Sequence, residues 1–432
     1  MGLLNPATTV LPLRDSLQGR DRDGLFSATV TGPVRYDDNG LIVEPGTTNY
    51  IHNPVGAVGT SGWSSIGSIS VTAEPSLPGP LPGWLAGSIT TGFRIEALTN
   101  QGVSSGMIFG GTTAALSGAT VHSVMAWVWV PSAFSATTLQ LRATNYAGAT
   151  QSDENVDLSQ RDQWQLVIAS VTPVSGDLSG GLSVTVQGGT MLAGERFWVT
   201  CAAIQPEAVA TSPAVGSMGP GYSWAGTPHA SASVRAMTSP GTSADNRVDS
   251  VRGCVIARAK LHRDAGVNQQ VVSVGANGTW DFLSLIGRHG VTDTTRFVSR
   301  VGAANERSVI GPVVPVEDRH TFYAAWDADG IGVAVDDGSL TTASRVETPG
   351  GAFAGGVAIG RLASSFPLNG SISDLTFYDA SLSDQRRAIV LDALANDVPP
   401  DMLWGLFATE EEYEQRQRVL AAPLPGDSWD GE

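Results

Sequence analysis

Apolar and polar residues follow one another in short runs along most of the chain, bounded by Gly, Pro, Ser and Asx-Gly turns. HSVMAWVWV (122–130) is apolar at odd and even positions alike, the pattern of a strand covered on both faces. WQLVIASVTPV (164–174), GLSVTVQGG (181–189) and ERFWVTCAAIQPE (195–207) follow at sandwich spacing. A second set comprises CVIARAKLHR, HTFYAAW, GIGVAVDDG and GGVAIG, with HTFYAAW-DADG-IGVAV forming a hairpin that turns at Asp329-Gly330. TVLPL and LIVE are short strand candidates near the N-terminus, with a turn at Asn39-Gly40 between YDD and LIV.

Helical period appears only near the C-terminus. In NGSISDLTFYDASLSDQRRAIVLDAL (369–394), Leu375 and Phe377 point one way along a strand while Asp374, Thr376 and Tyr378 point the other. Ser383 then caps a helix whose apolar stripe is Ile389, Val390, Ala393 and Leu394. Thr409 and Glu412 match a capping box and predict a further helix over Glu410–Ala421. Leu403, Trp404, Leu406 and Phe407 just before it are too apolar for water and suit docking to a protein neighbour or packing on their own domain.

The pattern divides into four parts. Residues 1–49 are a strand-rich segment, either an anchor or outer strands of the second sandwich, which would make the first sandwich an insertion. Residues 50–213 form one β-sandwich and 214–398 a second, entered through SMGPGYSWAGTPHASASVR as a linker or an edge strand. Residues 399–432 are a helical docking tail. The fold class is all-β, with two sandwiches and a short helical tail.

Composition agrees: 42% of residues are hydrophobic, only 15% charged, and there are 51 glycines and 24 prolines. A net charge of −16 argues against nucleic acid, whose phosphates need a cationic face. Lys260 is the only lysine. No run reaches the roughly 18 apolar residues of a membrane helix, and the N-terminus lacks the basic and apolar regions of a secretory signal. Synthesis in a cytoplasm without membrane insertion is therefore expected. Cys201 and Cys254 sit in apolar strand-like runs and are expected as buried thiols in separate domains.

Several of these stretches resemble known families. GERFWVTCAAIQPEAVATSP and LIVEPGTTNYIHNP resemble the closing and opening segments of carbohydrate-binding-module jelly rolls. GYSWAGTPHASASVR resembles a linker of minor tail proteins in siphophages that infect actinobacteria. HTFYAAWDADGIGVAVDDG with FPLNGSISDLTFYDASLSDQRRAIVL is similar to the second half of laminin-G-like, concanavalin A-like sandwiches. The resemblance implies a jelly roll followed by a laminin-G-like lectin sandwich, with the small helix after the last strand plugging one open end of the two sheets. It also implies a virion protein of the tail tip or fibre, partnered by other phage tail proteins and by host cell-envelope polysaccharide, as a homo-oligomer such as a trimer.

Candidate chemistry is sparse. No strand carries the closely spaced glutamates of a retaining glycosidase, and Glu410–Glu414 read as the solvated face of a helix. The six histidines show no zinc spacing, and SVGANGTW (273–280) has Gly275 where a sialidase box needs aspartate. A non-enzymatic role is expected, with no cofactor. Calcium is a lesser option at Asp327, Asp329, Asp336, Asp337 and Asp374, which also suit ordinary turns. For a glycan, the residues to stack are tryptophans in Gly/Pro-rich loops: Trp84 foremost, then Trp63 and Trp224, each also placed to anchor its own loop. Trp127, Trp129, Trp164, Trp198 and Trp326 are expected in the core. Glycan recognition during host adsorption is the favoured function; a ligand-free assembly protein and a glycan depolymerase are the alternatives.

Overall fold

A computed structural model describes residues 9–395, except 13–17, 22–23, 28, 32–34, 38–39, 82–84, 86, 110–120, 146–150, 173–179, 208–209, 243–247, 263–266, 276–280, 303–304, 346–355, 361–367, 379–381 and 383. The described chain is antiparallel β with one α-helix. Two five-stranded sheets make the first sandwich. One runs Trp164–Val171, His122–Trp129, Arg196–Gln205, Gly92–Ala97, Ile69–Glu74; the other Gln151–Asn155, Thr138–Asn145, Gly180–Gly188, Ser105–Phe109, Trp63–Ile66. Between them, Val124, Ala126 and Val128 of the first sheet meet a core that includes Leu139, Leu141 and Val184 of the second. Each such aliphatic or aromatic side chain contributes about 1.5–3 kcal/mol when fully buried.

The second sandwich pairs a ten-stranded with a seven-stranded sheet around a core that includes Phe297, Phe322, Trp326 and Phe377. The central strand of the larger sheet is Gly370–Tyr378, buried along its whole length. Strands from the beginning of the chain join it. Thr9–Pro12 pairs with it at Leu11↔Leu375, and Gly40–Val43 at Leu41↔Ile372. Thr29–Thr31 pairs with Ser239–Thr242 at the edge of the seven-stranded sheet.

The first sandwich therefore leaves and rejoins the second through two neighbouring crossings. Thr47–Asn49 pairs with Ser233–Arg235, which pairs with Tyr222–Trp224, so GYSWAGTPHASASVR folds as a hairpin in a three-stranded sheet. Asn49 ties the crossings together with all its polar capacity. Its Nδ2 donates to the carbonyls of Ala202 (3.0 Å) and Ala214 (3.1 Å), and its Oδ1 accepts from the amides of Ile51 and Ile204. Beside it lies a buried ionic cluster. Arg35 Nη2 donates to Glu44 Oε2 at 2.9 Å, Arg235 Nη1 stands 3.5 Å from the same oxygen, and Ser212 donates to Oε1 through both its amide and its hydroxyl. Burial alone would raise the Glu44 pKa, but Arg235, Arg35, His262 and Ser212 pull it down to about 2.

The helix, Asp384–Ala395, does not plug an end of the sandwich. Val390, Leu391 and Leu394 lie across the outer face of the ten-stranded sheet, on Cys254, Ile256, Tyr323, Ala325, Ala334 and Tyr378. The reason is in the sheet: those strands carry apolar residues on their outward face too, and an exposed apolar sheet face demands a cover. Ser383, the segment Leu403, Trp404, Leu406, Phe407 and the capping box at Thr409 lie outside the described residues.

Candidate functional site

Strand direction fixes which end of the first sandwich points away from the crossings. Arg196–Gln205 starts at Arg196, opposite Glu96, and ends at Gln205 beside the crossings. At about 3.3 Å per residue, the Arg196 end lies roughly 30 Å away from the crossings. The loops at that far pole are 66–68, 98–104, 131–137, 156–163 and 189–195.

Across the outer face of one sheet at this pole runs a row of aromatic residues. Trp164 is opposite Trp129, Trp129 opposite Trp198, and Trp198 opposite Arg94. Trp127 stands one step behind, between Leu166 and Thr200. The Trp129 and Trp164 rings meet edge-on at 5.7 Å, and the Arg196 guanidinium lies 5.7 Å from the Trp198 ring. These tryptophans are not in the core between the sheets. They belong to a separate outer layer with Val55, Leu81, Leu85, Ile89, Cys201 and Val215. The strand His122–Trp129 is apolar on both faces because Gly79, Leu81, Leu85 and Ile89 of the Pro/Gly stretch lie over it. Gly79 sits so close to Trp129 that a Cβ there would come within 2.7 Å of the ring, and its carbonyl accepts from Trp164 Nε1 at 2.9 Å. Trp326, by contrast, is buried between the sheets of the second sandwich.

Beside this row, where the edge strands of the two sheets come together, lies a cleft of about 440 Å³ lined by Glu154, Asn155, Asp157, Gln160, Trp164 and Gln165, with Leu166, Val167 and Ile168. Its wall is fixed from within. Gln165 Nε2 donates to the carbonyls of Asp157 (2.8 Å) and Gln160 (2.6 Å), while its Oε1 accepts the Asp157 amide. The Asp157 carboxylate accepts from Ser159 (amide and hydroxyl) and from Gln160 Nε2, and these bonds lower its pKa. Asn155 Oδ1 accepts from Gln140. The rim thus presents carboxylate and carboxamide groups next to an exposed aliphatic side chain, Leu166. Such a surface offers acceptors to hydroxyl groups and repels anions.

Of the tryptophans expected on the surface, the two that are described, Trp63 and Trp224, fall elsewhere. Trp63 is only 6% exposed, 5.0 Å from the Phe93 ring and 5.2 Å from Phe109, and its Nε1 donates to the Asn53 carbonyl. Its loop-like context concealed a strand start that faces inward. Trp224 is half-buried, its ring against Gly216 and 4.5 Å from the His229 ring. Trp84 lies outside the described residues. The cleft residues were missed because no local motif marks them; only the meeting of two sheet edges assembles them.

The hairpin aspartates do not converge. Asp327 Oδ1 accepts the amides of Asp329 and Gly330 at the turn, whereas Asp336, at the far end of Gly330–Val335, binds the Thr321 amide and His320 Nδ1. Asp374 pairs with Arg258. Among the described residues no three His, Cys, Asp or Glu side chains gather as a metal set. Cys201 and Cys254 are buried free thiols, each pushed up to about 12 by burial.

No protein-family model matches the chain, and no curated protein matches it. Among solved structures, the CBM40 module of the Ruminococcus gnavus IT-sialidase, bound to α2,3-sialyllactose, is 17% identical over 33% of this chain and 82% of its own, with a TM-score of 0.29. Domain 4 of an extracellular arabinanase from Geobacillus stearothermophilus, in complex with arabinotriose, is 16% identical over 36% and 73%, with a TM-score of 0.32. A heptameric pentraxin of Limulus polyphemus is 18% identical over 32% and 69%, with a TM-score of 0.26. At these scores the likenesses carry no argument about ligand or role; the all-β sandwich architecture rests on the strand pairing itself.

Proposed function

We propose that this chain is a non-enzymatic glycan-binding protein of a tailed-phage virion, at the tail tip or fibre, which holds uncharged host-envelope polysaccharide in the cleft of its first sandwich. The observation that supports the glycan half is the pre-organised polar cleft at the pole opposite the chain crossings. There a particle-mounted module would meet a cell surface. Carboxylate and carboxamide acceptors beside Leu166 and the edge of Trp164 suit a polyol, and the acidic rim disfavours an anionic one. The virion half is supported by the ordered sequence resemblances, above all GYSWAGTPHASASVR. Weak single sites multiplied over the copies of a homo-oligomer, a trimer for instance, give avidity without new contacts.

Purified full-length protein is expected to be retained on host cell-wall polysaccharide, and Glu154→Ala with Gln160→Ala to lower that retention about tenfold or more, since both side chains are exposed and leave the core intact. Retention unchanged in the double variant removes the cleft from the reading; no retention of the wild type, with the chain present in purified particles, leaves a structural tail component. A particle map without density for this chain ends the virion assignment.

A further inference from the structure

We propose that the outward face of the seven-stranded sheet in the second sandwich carries a separate binding site, for an oxyanion borne on a glycan, with Arg296 as the residue that grips it. This does not rest on the cleft of the first sandwich, whose charge has the opposite sign.

Among the described residues, most guanidinium groups are matched by carboxylates or main-chain carbonyls. Arg142 pairs with Asp153 at 3.0 Å and Arg288 with Asp293 at 2.8 Å. Arg345 donates to the carbonyls of Ser250, Val251 and Asp327, and Arg161 to those of Leu158, Pro131 and Phe134. Arg296 is different. Its Nη2 donates to a neutral hydroxyl, Ser308 Oγ, at 2.8 Å, and that neutral partner sets it apart, since its buried Nε lacks an acceptor just as those of Arg288 and Arg345 do among the described residues. A half-buried cation with a neutral partner has charge left to offer.

Register places suitable company around it. Arg296 lies between Ile286, which is buried, and Ile310, which is 56% exposed, so the open side of the face is toward the edge strand Asn305–Val313. Two residues on along the same face, Val298 lies between Ser284 and Ser308; four residues on, Arg300 lies between Phe282 and Glu306. Arg300 stands about 13 Å along the strand from Arg296; its Nε donates to the Gly302 carbonyl at 3.3 Å and its Nη1 lies 3.7 Å from Glu306. The face thus combines a planar guanidinium fork, a serine hydroxyl, an aromatic ring and a second cation. A fork of this kind matches carboxylate or phosphate oxygens two at a time. The net charge of −16 does not forbid it, because screening over about 8 Å at physiological salt makes the local cations decisive.

The test is titration of the full chain, in parallel, with a glucuronic-acid oligosaccharide, a glycerol-phosphate oligomer and a neutral oligosaccharide of equal length. At least one anionic arm is expected to bind and the neutral one not to compete; the arm that binds identifies the oxyanion as carboxylate or phosphate. Arg296→Gln is expected to weaken that binding about tenfold or more with an unchanged melting temperature, and added salt to weaken it in the wild type. Should Arg296→Gln fold poorly, Arg296→Lys keeps the charge without the fork and is expected to show a smaller loss. Binding by neither anionic arm, or a folded Arg296 variant that binds as the wild type does, overturns the proposal.

Discussion

Glu44 is the residue on which the joint between the two sandwiches turns. Two arginines, 6% and 0% exposed, face its single carboxylate. A buried pair adds little over an apolar replacement, but removing one partner strands the others. Glu44→Gln is expected to cost about 3–5 kcal/mol for that reason, measured as a fall in the urea midpoint with unchanged slope. Gly79 acts by absence. A methyl there collides with the Trp129 ring, so Gly79→Ala is expected to lift the covering stretch at a cost of about 1–3 kcal/mol. Altered tryptophan fluorescence would register the change; a spectrum and stability equal to the wild type would show that the stretch is not seated on the ring. Nothing local distinguishes Trp63, inside, from Trp129, outside, because a tryptophan's layer depends on which strand face a distant segment covers.

The segment that returns the chain from the first sandwich carries its own titration. Glu207 lies just past Arg196–Gln205 and accepts the Thr47 hydroxyl at 2.6 Å. Burial raises its pKa to about 7 against the opposing pull of Thr47 and Arg235. A carboxyl raised in the folded state contributes stability below its ordinary value of 4.5, and that contribution is lost as pH rises through about 7. Glu44 runs the other way: lowered to about 2, it contributes above 4.5 and the contribution is lost as pH falls toward 2. The joint is therefore expected to be most stable in mildly acid solution. Urea midpoints should fall between pH 4.5 and about 7, and Glu207→Gln should flatten that arm while leaving the acid arm in place. An unchanged alkaline arm in the variant would assign the loss to another group. The helix Asp384–Ala395 makes the same point at the level of packing. Its apolar residues were readable from their spacing, whereas its seat on a sheet face, rather than over an open end, follows from Cys254, Ile256 and Tyr378 pointing outward from their strands.

For the molecule as a whole, the far pole of the first sandwich and the joint lie at opposite ends of the strand Arg196–Gln205. Strands from the beginning of the chain complete the second sandwich, not the first, so deletion of residues 1–31 exposes one edge of Gly370–Tyr378. In calorimetry this truncation is expected to lower the melting transition of the second sandwich and to leave that of the first in place. Two unmoved transitions would show those strands to be dispensable.

Alternation of apolar residues, turn dipeptides and the scarcity of helical period determined by themselves that the chain is all-β, where most strands lie and where its described helix falls, since these are short-range consequences of backbone geometry. The tertiary structure alone decided which apolar face meets which layer, and with it that Trp127, Trp129, Trp164 and Trp198 form an outer tier. It alone brought Glu154 and Gln160 to one cleft and set Arg296 over Ser308 on the opposite sandwich. Those groups are polar, unremarkable in sequence and contributed by different strands or loops, so only the register and stacking of the sheets create their chemistry.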